Sequence, residues 1–183
     1  RDISTYEWAA AHLESFGGEA ARLRPRLIIA NLKRWTNREL DLRREAASAS
    51  ELAQHMVGTA GYEIPGIDWD RTNGRVMTVD WIDGIKISNT EAIRAAGHDT
   101  AELASRLVLA FLKQAIAAGF FHADMHQGNL FVKADGTIAA IDFGIMGRID
   151  RRARMWLAEI LYGLTTGNYK RVAEIHFEAQ YVP

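Results

Sequence analysis

Apolar residues recur at helical spacing along the first third of the chain. Residues 4–15 place apolar side chains three and four positions apart, which predicts a helix that ends at the glycine pair that follows. Pro25 favours the first turn of a second helix. Thr36 with Glu39 three residues later is typical of a capping box, so the helical pattern either restarts at Thr36 and runs to about residue 56 or continues through it.

The pattern changes to short apolar runs in the middle of the chain. Residues 67–69 and 76–81 predict two strands joined by a turn at 71–74. Asp83-Gly84 interrupts the second strand, and a short helix is predicted over 90–96.

Helical spacing returns in the second half. Asp99, followed three residues later by Glu102, can cap a long helix to Ala118, which ends at Gly119. The remaining predicted elements are a hairpin of strands at 129–132 and 138–141 and two helices at 150–165 and 168–180.

Polar residues with an informative spacing stand between these elements. The run 122–129 has the form H-x-D-x-x-x-x-N, and D-F-G follows at 142–144, which together match the protein-kinase signature. A phosphoryl-transfer site mainly positions reactants and neutralises charge, and Mg²⁺ prefers oxygen ligands. Because the hairpin returns the chain to one end of the sheet, we expect Asn129 and Asp142 to hold Mg²⁺ and Asp124 to face the nucleophile.

The order of the predicted elements is that of a protein kinase from its regulatory helix onward. We therefore predict an α+β, protein-kinase-like fold with a mostly helical C-lobe and a partial N-lobe, divided into residues 1–82 and 83–183. The strand before the division would end at the adenine, with Asp80 and Ile82 beside the nucleotide. Ordinary sheet core is an equally open interpretation of those side chains.

Composition narrows the class of protein. The 183 residues are 48% hydrophobic and 25% charged with a formal net charge of -1, which fits a soluble globular domain and gives no electrostatic reason to expect nucleic acid. The absence of cysteine excludes disulfides, thiolate nucleophiles and cysteine-ligated zinc. The apolar stretches fall short of the ~20 residues that a membrane-spanning helix needs. Because the chain begins in a predicted helix without an initiating methionine, we expect it to be a piece of a longer protein.

Three ordered segments give the chain a resemblance to a known family. Residues 39–47, 121–132 and 141–148 are similar to the UbiB family of atypical kinases, which supports ubiquinone (coenzyme Q) biosynthesis. The similarity covers nearly the whole chain. It implies a kinase or ATPase that uses ATP and Mg²⁺, with a lipid or quinone precursor, ubiquinone-biosynthesis proteins and a membrane surface as further partners.

The resemblance also implies roles for individual residues. Glu45 is similar to the regulatory-helix glutamate that pairs with a strand lysine, and Glu39 and Asp41 are similar to a family pair near the nucleotide. His122 matches the histidine that braces the catalytic loop. Two alternatives stay open: Glu39 and Asp41 as first-turn acids favoured by the helix dipole, and His126 as a contact to the γ-phosphate or to the loop backbone.

Some features depart from the family's pattern. Met125 and Gln127 stand where the catalytic loop usually carries prolines, which concerns loop rigidity rather than chemistry. The family's K-x-G-Q extension, its alanine-rich loop and its strand lysine do not occur ahead of Glu45. We therefore expect this chain alone to bind ATP poorly and to be inactive by itself.

The connection after D-F-G is short and lacks an A-P-E motif, which favours a small or lipid-like acceptor over a peptide. An aminoglycoside- or choline-kinase-like phosphotransferase and a non-catalytic nucleotide-binding scaffold are the alternatives. The basic residues of the second helix form a solvated face or meet anionic lipid headgroups. We expect a cytoplasmic protein, peripheral at the inner membrane through parts outside this chain.

Overall fold

The computed structural model describes residues 2–15, 22–39 and 41–182. Within these residues, helices lie before, between and after the strands of a small sheet. The helices are α1 (Asp2–Ser15), α2 (Pro25–Glu39), α3 (Leu42–Met56), α4 (Thr90–Ala95), α5 (Thr100–Leu112), α6 (Arg151–Thr166) and α7 (Tyr169–Glu178). The strands are β1 (Tyr62–Glu63), β2 (Ile85–Lys86), β3 (Phe120–His122), β4 (Leu130–Val132), β5 (Ile138–Ala140) and β6 (Met146–Arg148). Short 3₁₀ turns lie at Trp69–Arg71 and Gln127–Asn129, and a π-helical turn at Lys113–Ala118 extends α5.

A short break separates α2 from α3, and the predicted acidic residues Glu39, Asp41 and Glu45 lie on either side of it or within it. α2 begins at Pro25 and continues through Thr36 to Glu39, so the restart predicted at Thr36 is wrong and the continuous alternative is confirmed. α3 begins after Asp41, whose carboxylate accepts the backbone N–H of Arg43 at 3.3 Å. An aspartate in this position satisfies one of the amides that the first helical turn leaves unpaired, so the helix restarts here.

A four-stranded sheet joins the two halves of the chain. Its strand order is β1-β5-β4-β2, and β3 pairs with β6 in a separate ladder. β4 and β5 form the predicted antiparallel hairpin, with Leu130 opposite Ala140. β1 pairs with β5 in parallel and β2 with β4 antiparallel, so segments from both sides of residue 82 share one sheet. The strands outside the hairpin are two or three residues long, which is too short for alternation to reveal them.

The strands predicted at 67–69 and 76–81 are wrong as regular strands. The two segments approach each other antiparallel, but through the isolated bridge of Ile67 with Val79, and a second bridge pairs Asn73 with Val76 at the turn. The Asp68 carboxylate accepts the backbone N–H of Arg71 at 3.1 Å, and the Asn73 side chain accepts two further backbone amides. Polar side chains of this kind compete with ladder hydrogen bonds, so the segment forms turns instead.

The hydrophobic core lies where α3 and α5 pack against the sheet. Leu52 on α3, Leu130 on β4 and Ile138 on β5 are at most 2% exposed. The predicted break at Gly84 has a packing cause, because a Cβ atom there would lie 2.9 Å from the carbonyl oxygen of Val132. A larger residue would push the connecting segment away from β4.

The long helix predicted from Asp99 is confirmed. The Asp99 carboxylate accepts the backbone N–H of Ala101 at 2.7 Å, and the helical path ends at Gly119 with φ +72°. The last turn is π-helical rather than α-helical, a geometry that the sequence did not indicate. It carries Gln114, which is fully buried beneath the catalytic loop.

Candidate active site

His122 connects the two loops that carry the predicted catalytic residues. It is the last residue of β3 and is 1% exposed. Its Nδ1 accepts the backbone N–H of Asp124 at 3.1 Å, and its Nε2 lies 3.4 Å from the carbonyl oxygen of Ile141. Because Nδ1 accepts a hydrogen bond, the ring proton sits on Nε2 and donates to Ile141. The imidazole therefore ties the Asp124 loop to the residue before Asp142.

Asn129 closes the catalytic loop from the other end. It is 6% exposed, and its amide nitrogen donates to the carbonyl oxygen of Asp124 at 3.2 Å. Its own carbonyl oxygen accepts the backbone N–H of Ile141 at 2.8 Å. Ile141, the residue directly before Asp142, is thus paired with Asn129 across the hairpin. The sequence predicted that the hairpin would bring Asn129 and Asp142 to the same end of the sheet.

Asp142 adopts a backbone conformation that few residues tolerate. Its φ is +64°, in the left-handed region where aspartate is among the better accepted side chains. Its carboxylate is exposed and accepts the backbone N–H of Gly144 at 3.2 Å. The next residue, Phe143, is 2% exposed and packs against the His122 ring with 5.4 Å between ring centroids. The buried phenyl ring and the exposed carboxylate are thus held on opposite sides of the chain.

Glu45 on α3 contacts this turn directly. Its carboxylate accepts the backbone N–H of Phe143 at 3.2 Å. Burial raises the pKa of Glu45, the bond from Phe143 opposes that change, and the charge of Asp142 adds to the increase. The hydrogen-bond partner of Glu45 is thus a main-chain amide, which no side-chain motif can reveal.

A cavity of about 580 Å³ opens beside Glu45 and Asp142. Its wall is formed by Glu45, Pro65, Met77, Val79, Asp80, Trp81, Ile82, Asp83, Gly84, Phe131, Ile141, Asp142 and Phe143. The volume falls in the range of sites that bind small molecules and cofactors. Four carboxylates and no cationic side chain belong to this wall within the described part of the chain. The cavity wall therefore combines apolar side chains with carboxylates, Glu45 and Asp142 near the D-F-G turn and Asp80 and Asp83 on either side of Ile82.

Asp80 and Ile82, which were predicted to lie beside the adenine, belong to this wall. Asp80 pairs twice with Gly66, since its backbone N–H donates to the Gly66 carbonyl at 3.0 Å and its carboxylate accepts the Gly66 N–H at 3.1 Å. The backbone groups of Trp81 and Ile82 form no hydrogen bond among residues 2–15, 22–39 and 41–182. Ile82 therefore offers unpaired main-chain groups at the cavity, whereas the amide of Asp80 is already engaged.

Other predicted residues lie elsewhere. The Asp41 carboxylate is engaged by the Arg43 guanidinium at 2.7 Å and is not part of the cavity wall. The side chain of Glu39 lies outside the described residues. His126 accepts the backbone N–H of Gly128 at 3.0 Å through Nδ1, which is the loop-backbone alternative, and its Nε2 is 3.9 Å from the Asp124 carboxylate. The roles predicted for these residues in nucleotide binding stay predictions.

Gln114 is a site residue that the sequence analysis missed. Its side chain is fully buried, and its Oε1 accepts the backbone N–H of His122 at 3.0 Å. Its Nε2 has no hydrogen-bond partner within the described part of the chain. Tyr62 lies nearby with its hydroxyl 3.7 Å from the sulfur of Met125, and burial raises the pKa of Tyr62 to about 12. A glutamine on the apolar face of a predicted helix was the one available sign.

The buried His122 gives a prediction for the pH dependence of stability. Burial lowers the pKa of His122 below its ordinary value of 6.5, and the bond to Ile141 only partly offsets this. A group with a lowered pKa in the folded state binds its proton more readily when unfolded. We therefore expect the contribution of His122 to the free energy of unfolding to be fully present above about pH 6.5. This contribution should be lost as the pH decreases through the pKa of the folded state.

Denaturant unfolding over this pH range measures the effect. His122→Asn should lower stability at every pH, because it replaces the buried ring, and should flatten the acid-side slope. His12→Asn, on an exposed position of α1, should retain the slope. An unchanged slope in His122→Asn would contradict the prediction.

The fold and this arrangement define a kinase-like domain, and the comparisons with known proteins agree. Residues 1–176 match the family model of the ABC1 atypical kinase-like domain, so the chain belongs to that family. Family membership supports a kinase-like nucleotide-binding module and confirms the predicted relationship to the UbiB-type atypical kinases.

A solved structure has the same fold. The Rv3197–erythromycin complex from Mycobacterium tuberculosis is 23% identical in sequence and superposes with a TM-score of 0.59. The match covers 83% of this chain and 38% of that chain, so this chain spans well under half the length of that relative. At this identity the likeness concerns the fold alone. It supports the α+β, kinase-like architecture predicted from the sequence.

Two further observations concern the described residues only. No helix among them is both long and apolar enough to cross a membrane. No group of three or more histidine, aspartate or glutamate side chains converges in a way that could hold a metal ion. The predicted magnesium site would use one aspartate and one asparagine.

Proposed function

We propose that this chain is the nucleotide-binding part of an ATP- and Mg²⁺-dependent kinase or ATPase of the UbiB type that supports ubiquinone biosynthesis. The observation that carries the proposal is the cavity wall. It joins Ile82, predicted beside the adenine, to the D-F-G residue Asp142, and α3 contributes Glu45 to the same wall. Adenine fits the apolar part, where unpaired main-chain groups of Trp81 and Ile82 would meet its polar edge.

The residues around the D-F-G turn fit a magnesium–phosphate group. Asp142 supplies an exposed carboxylate at the cavity wall. Asn129 has its amide nitrogen committed to Asp124, which leaves the amide oxygen as a possible ligand. Mg²⁺, when bound, supplies the charge neutralisation that a triphosphate needs beside carboxylates. Asp142 and Asn129 would hold the metal ion.

Asp124 would accept the proton of the attacking hydroxyl or water. Its carboxylate is partly exposed, whereas its backbone N–H and carbonyl oxygen are held by His122 and Asn129. The backbone is fixed and the carboxylate remains available, which is the arrangement a general base requires. The short connection from Gly144 to α6 offers no extended surface for a peptide, which supports a small or lipid-like acceptor.

The charge of the cavity leads to a test of nucleotide binding. Four carboxylates without a cation repel a free triphosphate, so we expect adenosine to bind more tightly than ATP in the absence of Mg²⁺. Adding Mg²⁺ should raise the affinity for ATP by about tenfold or more, equivalent to ~1.4 kcal/mol, and should leave adenosine unaffected. Calorimetric titration of each ligand into the full-length protein, with and without Mg²⁺, measures this difference.

Variants separate the metal site from the adenine site. Asp142→Asn should remove the Mg²⁺ effect on ATP and leave adenosine binding unchanged. Asp135→Asn, in the hairpin turn where the carboxylate accepts the local Thr137 amide at 2.9 Å, is the matched control. ATP binding that ignores both Mg²⁺ and Asp142→Asn would contradict the proposal. Tight binding of Mg²⁺–ATP to these 183 residues would contradict the sequence-based expectation of poor affinity.

A further inference from the structure

A second cavity, of about 250 Å³, lies behind the catalytic loop. It is bounded by α4, the first half of α5 and the catalytic loop itself. Its wall consists of Ile87, Thr90, Ile93, Thr100, Leu103, Ala104, Leu107, Met125, Gln127 and Leu130. None of these residues lines the first cavity, beside Glu45 and Asp142, which we call the nucleotide cavity after the proposed function, so the two cavities are separate sites.

The wall of this second cavity has a uniform chemical character. The buried part of the wall is apolar, since it is formed by Ile93, Leu103 and Leu130, which are at most 4% exposed. The hydroxyl groups of two threonines and the amide of Gln127 are its polar groups, and no charged side chain belongs to the wall. A charged ligand would lose its hydration here without gaining an ion-pair partner. The wall therefore selects for an uncharged ligand.

Its volume limits the size of the ligand. Pockets for drug-sized molecules usually measure about 300–1,000 Å³, so this one suits a molecule of roughly ten non-hydrogen atoms. The side chains around an empty apolar cavity lack van der Waals contacts on the side that faces it, and a ligand that fills the cavity supplies those contacts. We propose that the cavity behind the catalytic loop binds a small, uncharged, mainly apolar molecule that carries one hydrogen-bonding group.

The position of Met125 connects this site with the catalytic loop. Met125 lines the cavity, follows Asp124 directly in the chain, and has its sulfur 3.7 Å from the Tyr62 hydroxyl. Methionine is flexible and adapts its shape to a neighbour. A ligand that displaces its side chain would therefore shift the segment that carries Asp124. This consequence rests on the proposed function, whereas binding in the cavity does not.

The five methionines of the chain allow a direct test by methyl NMR. Met125 reports on the second cavity, Met77 lines the nucleotide cavity, and Met155 is 56% exposed on α6. Benzyl alcohol is the probe, and benzoate and benzylammonium are its charged counterparts. We expect benzyl alcohol to shift the Met125 methyl signal saturably, with little change at Met77 and Met155. The charged counterparts should produce no saturable shift.

Two substitutions on α5 control for non-specific effects. Ala104→Phe should fill the cavity and abolish the shift of the Met125 signal, whereas Ala101→Phe, at an exposed position outside the wall, should retain it. The proposal is overturned if the Met125 signal does not saturate, if Met155 shifts equally, if the charged counterparts bind as well, or if Ala104→Phe changes nothing. Methyl signals of Met56 in the core verify that each variant is folded.

The consequence for catalysis is tested separately in the full-length protein. We expect saturating benzyl alcohol to change the rate of ATP turnover at least twofold, and we expect Ala104→Phe to abolish that response. A Met125 shift without a change in the rate of ATP turnover would support the binding site but refute its coupling to Asp124. Failure of the full-length protein to bind Mg²⁺–ATP would refute the proposed function without affecting the methyl shifts.

Discussion

Asp124→Asn in the full-length protein should lower the rate of ATP turnover by about 10²–10⁴-fold, which is the usual contribution of a general base. The substitution keeps the shape of the side chain but removes its ability to accept a proton. The backbone contacts of this residue with His122 and Asn129 do not involve the carboxylate. Asp124 is also absent from the nucleotide-cavity wall. We therefore expect the loss in turnover rate with little change in the affinity for Mg²⁺–ATP.

Steady-state turnover and nucleotide titration of the same preparation measure both quantities. Asp135→Asn is the control, because it makes the same chemical change in the turn of the neighbouring hairpin. Full turnover in Asp124→Asn would refute the enzymatic role and favour the alternative of a nucleotide-binding scaffold. Loss of binding and turnover together would indicate that Asp124 holds the nucleotide instead.

Leu52→Ala should destabilise the domain by about 2–5 kcal/mol, the usual cost of removing a buried leucine side chain. Leu52 is fully buried on α3, two turns after Glu45 on the same side of the helix. Its packing holds α3 against the sheet and so keeps Glu45 in reach of the Phe143 amide. We expect the variant to lose nucleotide affinity as well as stability, although Leu52 is not part of the nucleotide-cavity wall.

Chemical denaturation measures the change in the free energy of unfolding. Val57→Ala removes aliphatic carbons at the end of the same helix, where the side chain is 78% exposed, and should change stability by less than about 0.5 kcal/mol. If both substitutions have equal effects, α3 is not anchored through Leu52 and the proposed link to Glu45 is wrong.

The second half of the chain was the easier part to predict. The hairpin of β4 and β5 is local, since its turn and both strands lie within residues 129–141. The caps at Asp99 and Asp150 also depend on neighbouring residues alone. The strands at 67–69 and 76–81 were predicted incorrectly because the apolar pattern is that of strands, whereas the Asp68 and Asn73 side chains accept hydrogen bonds from the backbone amides.

The sequence by itself determined the spacing of His122, Asp124, Asn129 and Asp142, and the hairpin that brings the last two together, because these depend on local turns and hydrogen bonds. Only the tertiary structure decided that Glu45 binds the amide of Phe143, 98 residues away in the chain, and that β1 pairs with β5. It also decided that the nucleotide cavity contains four carboxylates and no cation within the described residues. Main-chain partners and cavity walls depend on how distant elements pack, and a pattern read along one chain does not contain that packing.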